Sequence, residues 1–378
     1  MRTLRLGLIG SGFMGRTHAL AAHSVGLVFP GEWPLACELL ADVDPLQAAE
    51  QARQLGFRRS TGDWRDLVAD PQVDIVDICA PNHLHFPMAK AALEQGKHVY
   101  CEKPLALEVE QSAQLAALAK ARERVTLVGF NYAKNPLIGL AASLIERGDL
   151  GEIRHVRGTH VEDYLADPER PGGWRVRRST AGLGALGDLC HVLSLTQRLV
   201  GEPVSVCADF QTVVSERPDG PVENEDQMHA MLRFHNGAIG AIACSRIAWG
   251  RKNGLTLEVT GSKGTLYFDQ ERQNELWLYR ADSVGPSGFQ RILLGPDQAD
   301  YAAFCPAPGH GLGFNDLKVI EMRDLLAAIA GDRPAWPDFA AAARIDAVTA
   351  AMATSFENAA WVPVTSSTSG SAGNNQQE

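Results

Sequence analysis

Three glycines, Gly10-Ser-Gly12-Phe-Met-Gly15, follow a short apolar run from Leu4 to Ile9 and open an Ala/Leu-rich stretch at helical spacing. Strand, glycine turn and helix in that order suit a dinucleotide pyrophosphate. Gly10 permits the tight turn, Gly12 lets phosphates approach the backbone, Gly15 lets helix pack on strand, and the helix N-terminus faces the anion. Three glycines also mark ordinary turns, but their place after an amino-terminal strand favours the dinucleotide, with Phe13 and Met14 in the same turn. Asp42, ending the second apolar run, is the acid expected on a ribose 2′-OH. It comes late because Pro30, Gly31 and Pro34 lengthen the preceding loop. A 2′-phosphate beside it would meet a like charge costing about 4 kcal/mol at about 4 Å with an effective dielectric near 20, so NAD is expected over NADP. Asp44 suits the cap of a helix opening at Pro45 better than Asp42 does.

Two further segments sit at strand carboxyl ends, where ligands of open parallel sheets collect. They are Ala80-Pro81-Asn82-His83-Leu84-His85 and Cys101-Glu102-Lys103-Pro104. A lysine there, close to an oxidised nicotinamide, would have its ammonium form disfavoured by desolvation and by the cofactor's charge. It could polarise a hydroxyl or carbonyl and exchange protons near neutral pH. Standing alone, the Glu-Lys pair would read as a surface ion pair.

These residues need strands that end side by side. Apolar runs at Leu4–Ile9, Leu35–Val43, Val73–Ala80, His98–Cys101 and Val125–Phe130 alternate with helical stretches, which implies a parallel sheet with helices on both faces. Beyond Asn131 the pattern changes. A helix over Pro136–Arg147 leads through Gly148 and Gly151 into a strand, and a helix is expected from about Leu186 to Val200. Strand runs then follow with little helix between them, and His235-Asn-Gly237 and Gly261-Ser-Lys-Gly264 stand at hairpin turns, so this sheet is antiparallel or mixed. Helical periodicity returns at Leu317–Ile329 and Ala340–Ala359, and these last helices are expected to fold back onto the first domain.

In this order the motifs resemble the Gfo/Idh/MocA oxidoreductases, sugar and polyol dehydrogenases named for glucose–fructose oxidoreductase and inositol dehydrogenase. The resemblance rests on Gly10–Gly15, Asp42, Pro81-Asn82-x-x-His85, Glu102-Lys103-Pro104, Gly129-Phe130-Asn131-Tyr132, Gly148-Asp-Leu-Gly151 and Trp174-Arg175, and it reaches to about Val364. It implies an α/β chain: an N-terminal Rossmann domain over 1–130, a doubly wound parallel sheet, and an α+β domain over 131–364 with a large, mostly antiparallel open-faced sheet that pairs copies into a homodimer or homotetramer. It implies Lys103 as the catalytic lysine, and Ala80, Pro81, Asn82, His85, Glu102, Lys103 and Asn131 along the cofactor. The family's remaining pair is an Asp followed four residues later by a His. Here Asp188 and His191 are three apart, and both spacings put the two side chains on one helical face. Tyr132, Trp174, Arg175 and His310 join Lys103, Asp188 and His191 as candidate substrate contacts, His310 being equally a loop residue of Pro308-Gly-His-Gly311. The implied reaction is NAD-dependent oxidation of a secondary or anomeric hydroxyl of a cyclic sugar or polyol. Two other readings stand beside it: glycoside cleavage by transient oxidation with retained NAD, and a non-catalytic NAD-dependent sensor.

The chain has 378 residues, a formal net charge of −10 and seven cysteines. That length is too great for one core at about 100–200 residues per domain. The acidic balance, with basic clusters as small as Arg175, Arg177 and Arg178, gives no footprint for nucleic acid. The cysteines form no Cys-x-x-Cys pair, and no His-Glu-x-x-His appears, so no metal is expected; His155, His160, His229 and His235 lack ligand spacing. No apolar run reaches the roughly 18 residues of a membrane span, and the N-terminal run is too short for a signal peptide, so a reduced cytoplasm is expected. Residues 365–378, rich in Ser, Gly, Asn and Gln, are expected to be a disordered tail.

Overall fold

Buried apolar strands alternating with amphipathic helices hide both sheet faces most completely as a covered parallel sheet. The computed structural model, which describes residues 2–30, 34–282 and 287–365, has that sheet in its first third. Its strands are β1 (Leu4–Ile9), β2 (Leu35–Ala41), β3 (Arg59–Thr61), β4 (Ile75–Ile78), β5 (His98–Cys101) and β6 (Thr126–Val128), ordered β3-β2-β1-β4-β5-β6. This is the Rossmann order, with its topological switch between β1 and β4. β3 and the helix Trp64–Ala69 escape the sequence reading, because a three-residue strand with exposed Arg59 and Ser60 has no periodic signal.

The later strands are β7 (Ile153–Val161), β8 (Pro203–Gln211), the separate short pair β9 (Glu216–Arg217) and β10 (Gly220–Pro221), β11 (Gln227–Phe234), β12 (Ile239–Ser245), β13 (Gly254–Gly261), β14 (Gly264–Asp269), β15 (Glu275–Arg280), β16 (Gln290–Leu293) and β17 (Val362–Pro363). Apart from the short pair they form one sheet, ordered β16-β15-β14-β13-β7-β12-β11-β8-β17, in which all pairings are antiparallel except β7 with β12. Alternation along β11 buries Met228, Ala230, Leu232 and Phe234 and exposes His229, Met231 and Arg233, so one face is packed and the other open. The expected hairpins join β11 to β12 and β13 to β14.

The helix Phe314–Ala330 returns to lie against the helix Phe13–Val28, and Phe339–Asn358 packs on β8 and on Val109–Ala121. One apolar core therefore joins Val76 and Leu115 of the first sheet's layer to Val156, Leu257 and Ile345, while Val319 and Met322 help cover Leu6, Leu8 and Tyr100 on its other face. No described helix is long and apolar enough to cross a membrane. The tail expected over 365–378 lies, from residue 366 on, outside the described residues.

Candidate active site

A cleft of about 640 Å³ opens at the carboxyl ends of β1, β4 and β5. Gly10 has φ +93°, and a Cβ there would stand 2.7 Å from the Cys79 carbonyl oxygen; at Gly15 it would stand 2.0 Å from that of Gly10. At Gly12 an added Cβ meets nothing within 4 Å, so the turn is crowded beneath and open towards the cleft. The helices opening at Pro45, Trp64 and Phe339 carry aspartate caps, Asp44, Asp63 and Asp338. The helix Phe13–Val28 has neither a side-chain cap nor an acid in its first turn, which keeps its leading N–H groups for an anion. Asp42 Oδ2 accepts the Ser11 N–H at 3.0 Å and the Ser11 hydroxyl, and its Oδ1 accepts the Val43 N–H at 2.8 Å. Cradle, free helix end and anchored carboxylate fit an adenine dinucleotide. Asn131 Nδ2, buried without a hydrogen-bond partner among the described residues, agrees with a polar ligand beside it.

Lys103 follows β5, and its bond to Pro104 is cis. Its Nζ donates to the Asp188 carbonyl oxygen at 2.5 Å and to Asp188 Oδ1 at 3.1 Å. Asp188 Oδ2 accepts the Tyr164 hydroxyl at 2.5 Å and lies 3.4 Å from Arg175 Nε. Burial works to lower the Lys103 pKa, but Asp188, with Cys190 and Glu102 adding to it, outweighs burial and the net shift is upward. The lysine is therefore an ammonium, its expected desolvation compensated by the carboxylates around it; the effect expected from an oxidised nicotinamide's charge comes on top of this balance. Burial also opposes the Asp188 carboxylate, yet Lys103 and Arg175 hold its pKa well below the usual range.

The expected helix over Leu186–Val200 is broken into Ala185–Asp188 and His191–Leu199. At the break the Leu189 carbonyl turns towards the large sheet, 2.9 Å from His160 Nδ1, instead of continuing the helical ladder. Asp188 and His191 therefore do not share one continuous helix. Asp188 lines the cleft, whereas His191 is buried against Tyr132, with ring centres 4.5 Å apart. Its Nδ1 is buried and has no hydrogen-bond partner among the described residues, and burial together with Lys103 pushes the imidazole pKa well below its ordinary value. His191 is neutral at pH 7.

Beneath Lys103 lies a buried ionic network that the sequence reading missed. Glu102 Oε1 lies 3.0 Å from His18 Nε2 and accepts Lys318 Nζ at 2.6 Å, and Glu102 Oε2 accepts the Lys103 N–H at 3.2 Å. Asp77 lies 2.8 Å from His18 Nδ1, while Lys318 also pairs with Glu321 at 2.9 Å and Tyr100 donates its hydroxyl to Glu321. Burial opposes the Glu102 anion, but Lys318 and His18 hold its pKa well below normal. Glu102 thus supports Lys103 from below. His85 has a similar place: its Nδ1 and Nε2 lie 2.7 and 2.9 Å from the carbonyl oxygens of Pro104 and Ala80, bracing the loops after β5 and β4.

Gly10, Gly12, Phe13, Met14, Asp42, Ala80, Pro81, Asn82, His85, Glu102, Lys103, Trp174, Arg175 and Asp188 all line the cleft. Asn82 also donates to the Ala181 carbonyl at 3.1 Å, tying the β4 end to the second half. Gly15 supports the turn from behind, and Asn131, Tyr132 and His191 are buried outside the lining. His310 is not brought to the cleft. It is exposed on a loop whose backbone bonds the Tyr301 hydroxyl. Ser11 and Tyr164 were missed; Ser11 was visible between two fingerprint glycines, whereas Tyr164 follows β7 with no motif around it.

Residues 4–130 match the family model described as the oxidoreductase family with an NAD-binding Rossmann fold, and residues 139–267 match the GFO/IDH/MocA C-terminal domain. Levoglucosan dehydrogenase of Pseudarthrobacter phenanthrenivorans is 38% identical over 96% of this chain and 99% of its own. The structure of a levoglucosan dehydrogenase in complex with NADH and levoglucosan superposes with a TM-score of 0.94 at 39% identity, covering 97% of this chain and 100% of that one. An inositol dehydrogenase homologue from Azotobacter vinelandii, complexed with NAD+, gives a TM-score of 0.84 at 26% identity, over 96% and 97%.

Proposed function

The chain belongs to the GFO/IDH/MocA oxidoreductase family, and we propose that it oxidises a secondary or anomeric hydroxyl of a cyclic sugar or polyol, with Lys103, Asp188 and His191 as the reacting constellation. The observation that carries this reading is the Lys103 ammonium held by Asp188 in a cleft whose other end is a dinucleotide cradle. NAD, held at the glycine turn and Asp42, supplies the hydride acceptor. Lys103 donates from Nζ to the oxygen of the reacting hydroxyl, favouring the negative charge that develops there. Asp188 is too acidic to take the hydroxyl proton; it fixes Lys103. The neutral His191 imidazole takes that proton as the carbon gives up its hydride, so no charged oxygen persists. Trp174 and Arg175, whose guanidinium stacks 4.7 Å from the indole centre, offer the sugar an apolar face and a hydrogen-bond donor.

Residues 1–130 hold the cofactor and 131–364 the substrate and the partner copy. Met231, Ile239 and Ala241 on the open sheet face favour pairing of copies there. A mass in solution equal to one chain would remove that part. Seven unpaired cysteines agree with a cytoplasmic enzyme.

Near-full-length similarity to levoglucosan dehydrogenase puts that anhydrosugar first in a panel with inositols, aldoses and glycosides, followed by NADH absorbance. Lys103→Ala and His191→Ala should each cut turnover by about 10²–10⁴-fold while still binding NADH. Full turnover in either variant would remove that residue from the mechanism, and glycoside cleavage without NADH build-up would replace net oxidation by the retained-cofactor reading.

A further inference from the structure

The segment Asn224-Glu225-Asp226 and Arg246 are polar, yet none is more than 4% exposed. Arg246 Nε donates to Asp226 Oδ1 at 2.9 Å and its Nη2 donates to Asn224 Oδ1 at 2.9 Å. The remaining bonds go mostly to main chain. Glu225 Oε2 accepts the Gly184 N–H at 2.8 Å, Oε1 accepts that of Leu186 at 2.9 Å, and the Glu225 carbonyl accepts that of Ala185 at 2.9 Å. Asn224 Nδ2 donates to the carbonyl oxygens of Arg175 and Gly182, each at 3.1 Å, and the Leu165 N–H donates to the Arg246 carbonyl at 3.0 Å. Gly184 is packed so closely that a Cβ there would stand 2.0 Å from the Glu225 carbonyl oxygen.

The three segments held in this way converge on one carboxylate. Leu165 follows Tyr164, which donates to Asp188; Arg175 lies beside Asp188; and Gly184–Leu186 opens the four-residue helix that ends in Asp188. A single helical turn has no stability of its own. Its place depends on the three N–H groups given to Glu225, and Lys103 in turn depends on that turn through both the Asp188 carboxylate and the Asp188 main-chain carbonyl.

We propose that Glu225, backed by Asn224 and Arg246, is a positioning residue that sets the Lys103–Asp188 pair from outside the cleft. It takes two N–H groups with two oxygens of one carboxylate. A glutamine can accept only one of them and presents its own amide hydrogens to the other. The inference rests on the reaction proposed above.

The test is Glu225→Gln in the full chain, assayed with NAD and the best substrate of the panel. Since a misplacement of about 1 Å in a reacting group costs on the order of 10²-fold, kcat should fall by about 10–100-fold. The NADH dissociation constant should stay within about threefold, because the glycine turn and Asp42 are untouched. Lys103 is faced by Asp188, Glu102, Cys190, His191, His85 and Tyr132. Loosening Asp188 leaves burial to act on the ammonium, so the basic limb of the kcat profile should move to lower pH. Asn224→Ser, which leaves the Glu225 carboxylate in place, should show a smaller loss of the same kind and serves if Glu225→Gln fails to fold. An unchanged kcat and pH profile with only a lower melting temperature would overturn the proposal, as would loss of NADH affinity in parallel with kcat. Full turnover in Lys103→Ala would instead strike the underlying reaction.

Discussion

Beneath Lys103, the buried side chains of His18, Asp77, Glu102, Lys318 and Glu321 bond chiefly to one another; beneath Asp188, those of Asn224, Glu225, Asp226 and Arg246 bond chiefly to main chain. The first cluster sets charge. Three carboxylates surround Lys318 and His18 in a place almost closed to water, and the result is a Glu102 anion under the lysine. The second sets the course of the chain, fixing the loops that carry Tyr164, Arg175 and Asp188. Two clusters of similar composition therefore do different work, according to whether their partners are side chains or peptide groups.

Removing the central cation of each breaks the comparison open. Lys318→Met leaves Glu102 and Glu321 buried without it, and loss of one partner of a buried pair costs about 3–5 kcal/mol. Arg246→Met should cost less, about 2–3 kcal/mol, because Asp226 Oδ2 keeps the N–H groups of Val213 and Val214 at 2.9 and 2.8 Å. Urea unfolding of the two variants against the parent checks the order. Equal costs would mean that the peptide donors around Asp226 compensate nothing.

The same distinction explains what could be read from the chain alone. The glycine turn, the ends of β4 and β5 and the Glu102-Lys103-Pro104 segment are chain-local, so their spacing carries their meaning. Lys318 stands 216 residues from Glu102, and its i,i+3 partner Glu321 reads as a solvated pair on a helix face. Nothing local tells that this face is buried against the first sheet. Asp188 and His191 were legible as residue types, but the break between them depends on His160 of β7 catching the Leu189 carbonyl, a contact across 29 residues. His310 shows the converse: a histidine among glycines looks like a site residue until the fold puts its loop elsewhere.

Asp346 sharpens the comparison, because it is a buried carboxyl with neither kind of support in full. It lies on the helix Phe339–Asn358, accepts the Ser112 hydroxyl at 2.6 Å and the Ala106 N–H, and has no cation against it among the described residues. Burial outweighs those two bonds and pushes its pKa up to about 7. Between its ordinary value of 3.8 and about 7 the folded chain therefore holds a proton that the unfolded chain has lost, so stability falls as pH rises through that window. At 1.36 kcal/mol per unit the whole shift bounds the effect at about 4 kcal/mol, and relaxation around the charge leaves about 1–2 kcal/mol. Asp346→Asn keeps an acceptor for Ser112 and cannot ionise. Urea midpoints should then differ little between parent and variant at about pH 3.5, below the ordinary carboxyl value, and favour the variant at pH 8. A difference that does not change with pH would mean that Asp346 is already charged in the folded chain, and that two neutral donors suffice where Glu102 has Lys318 and His18.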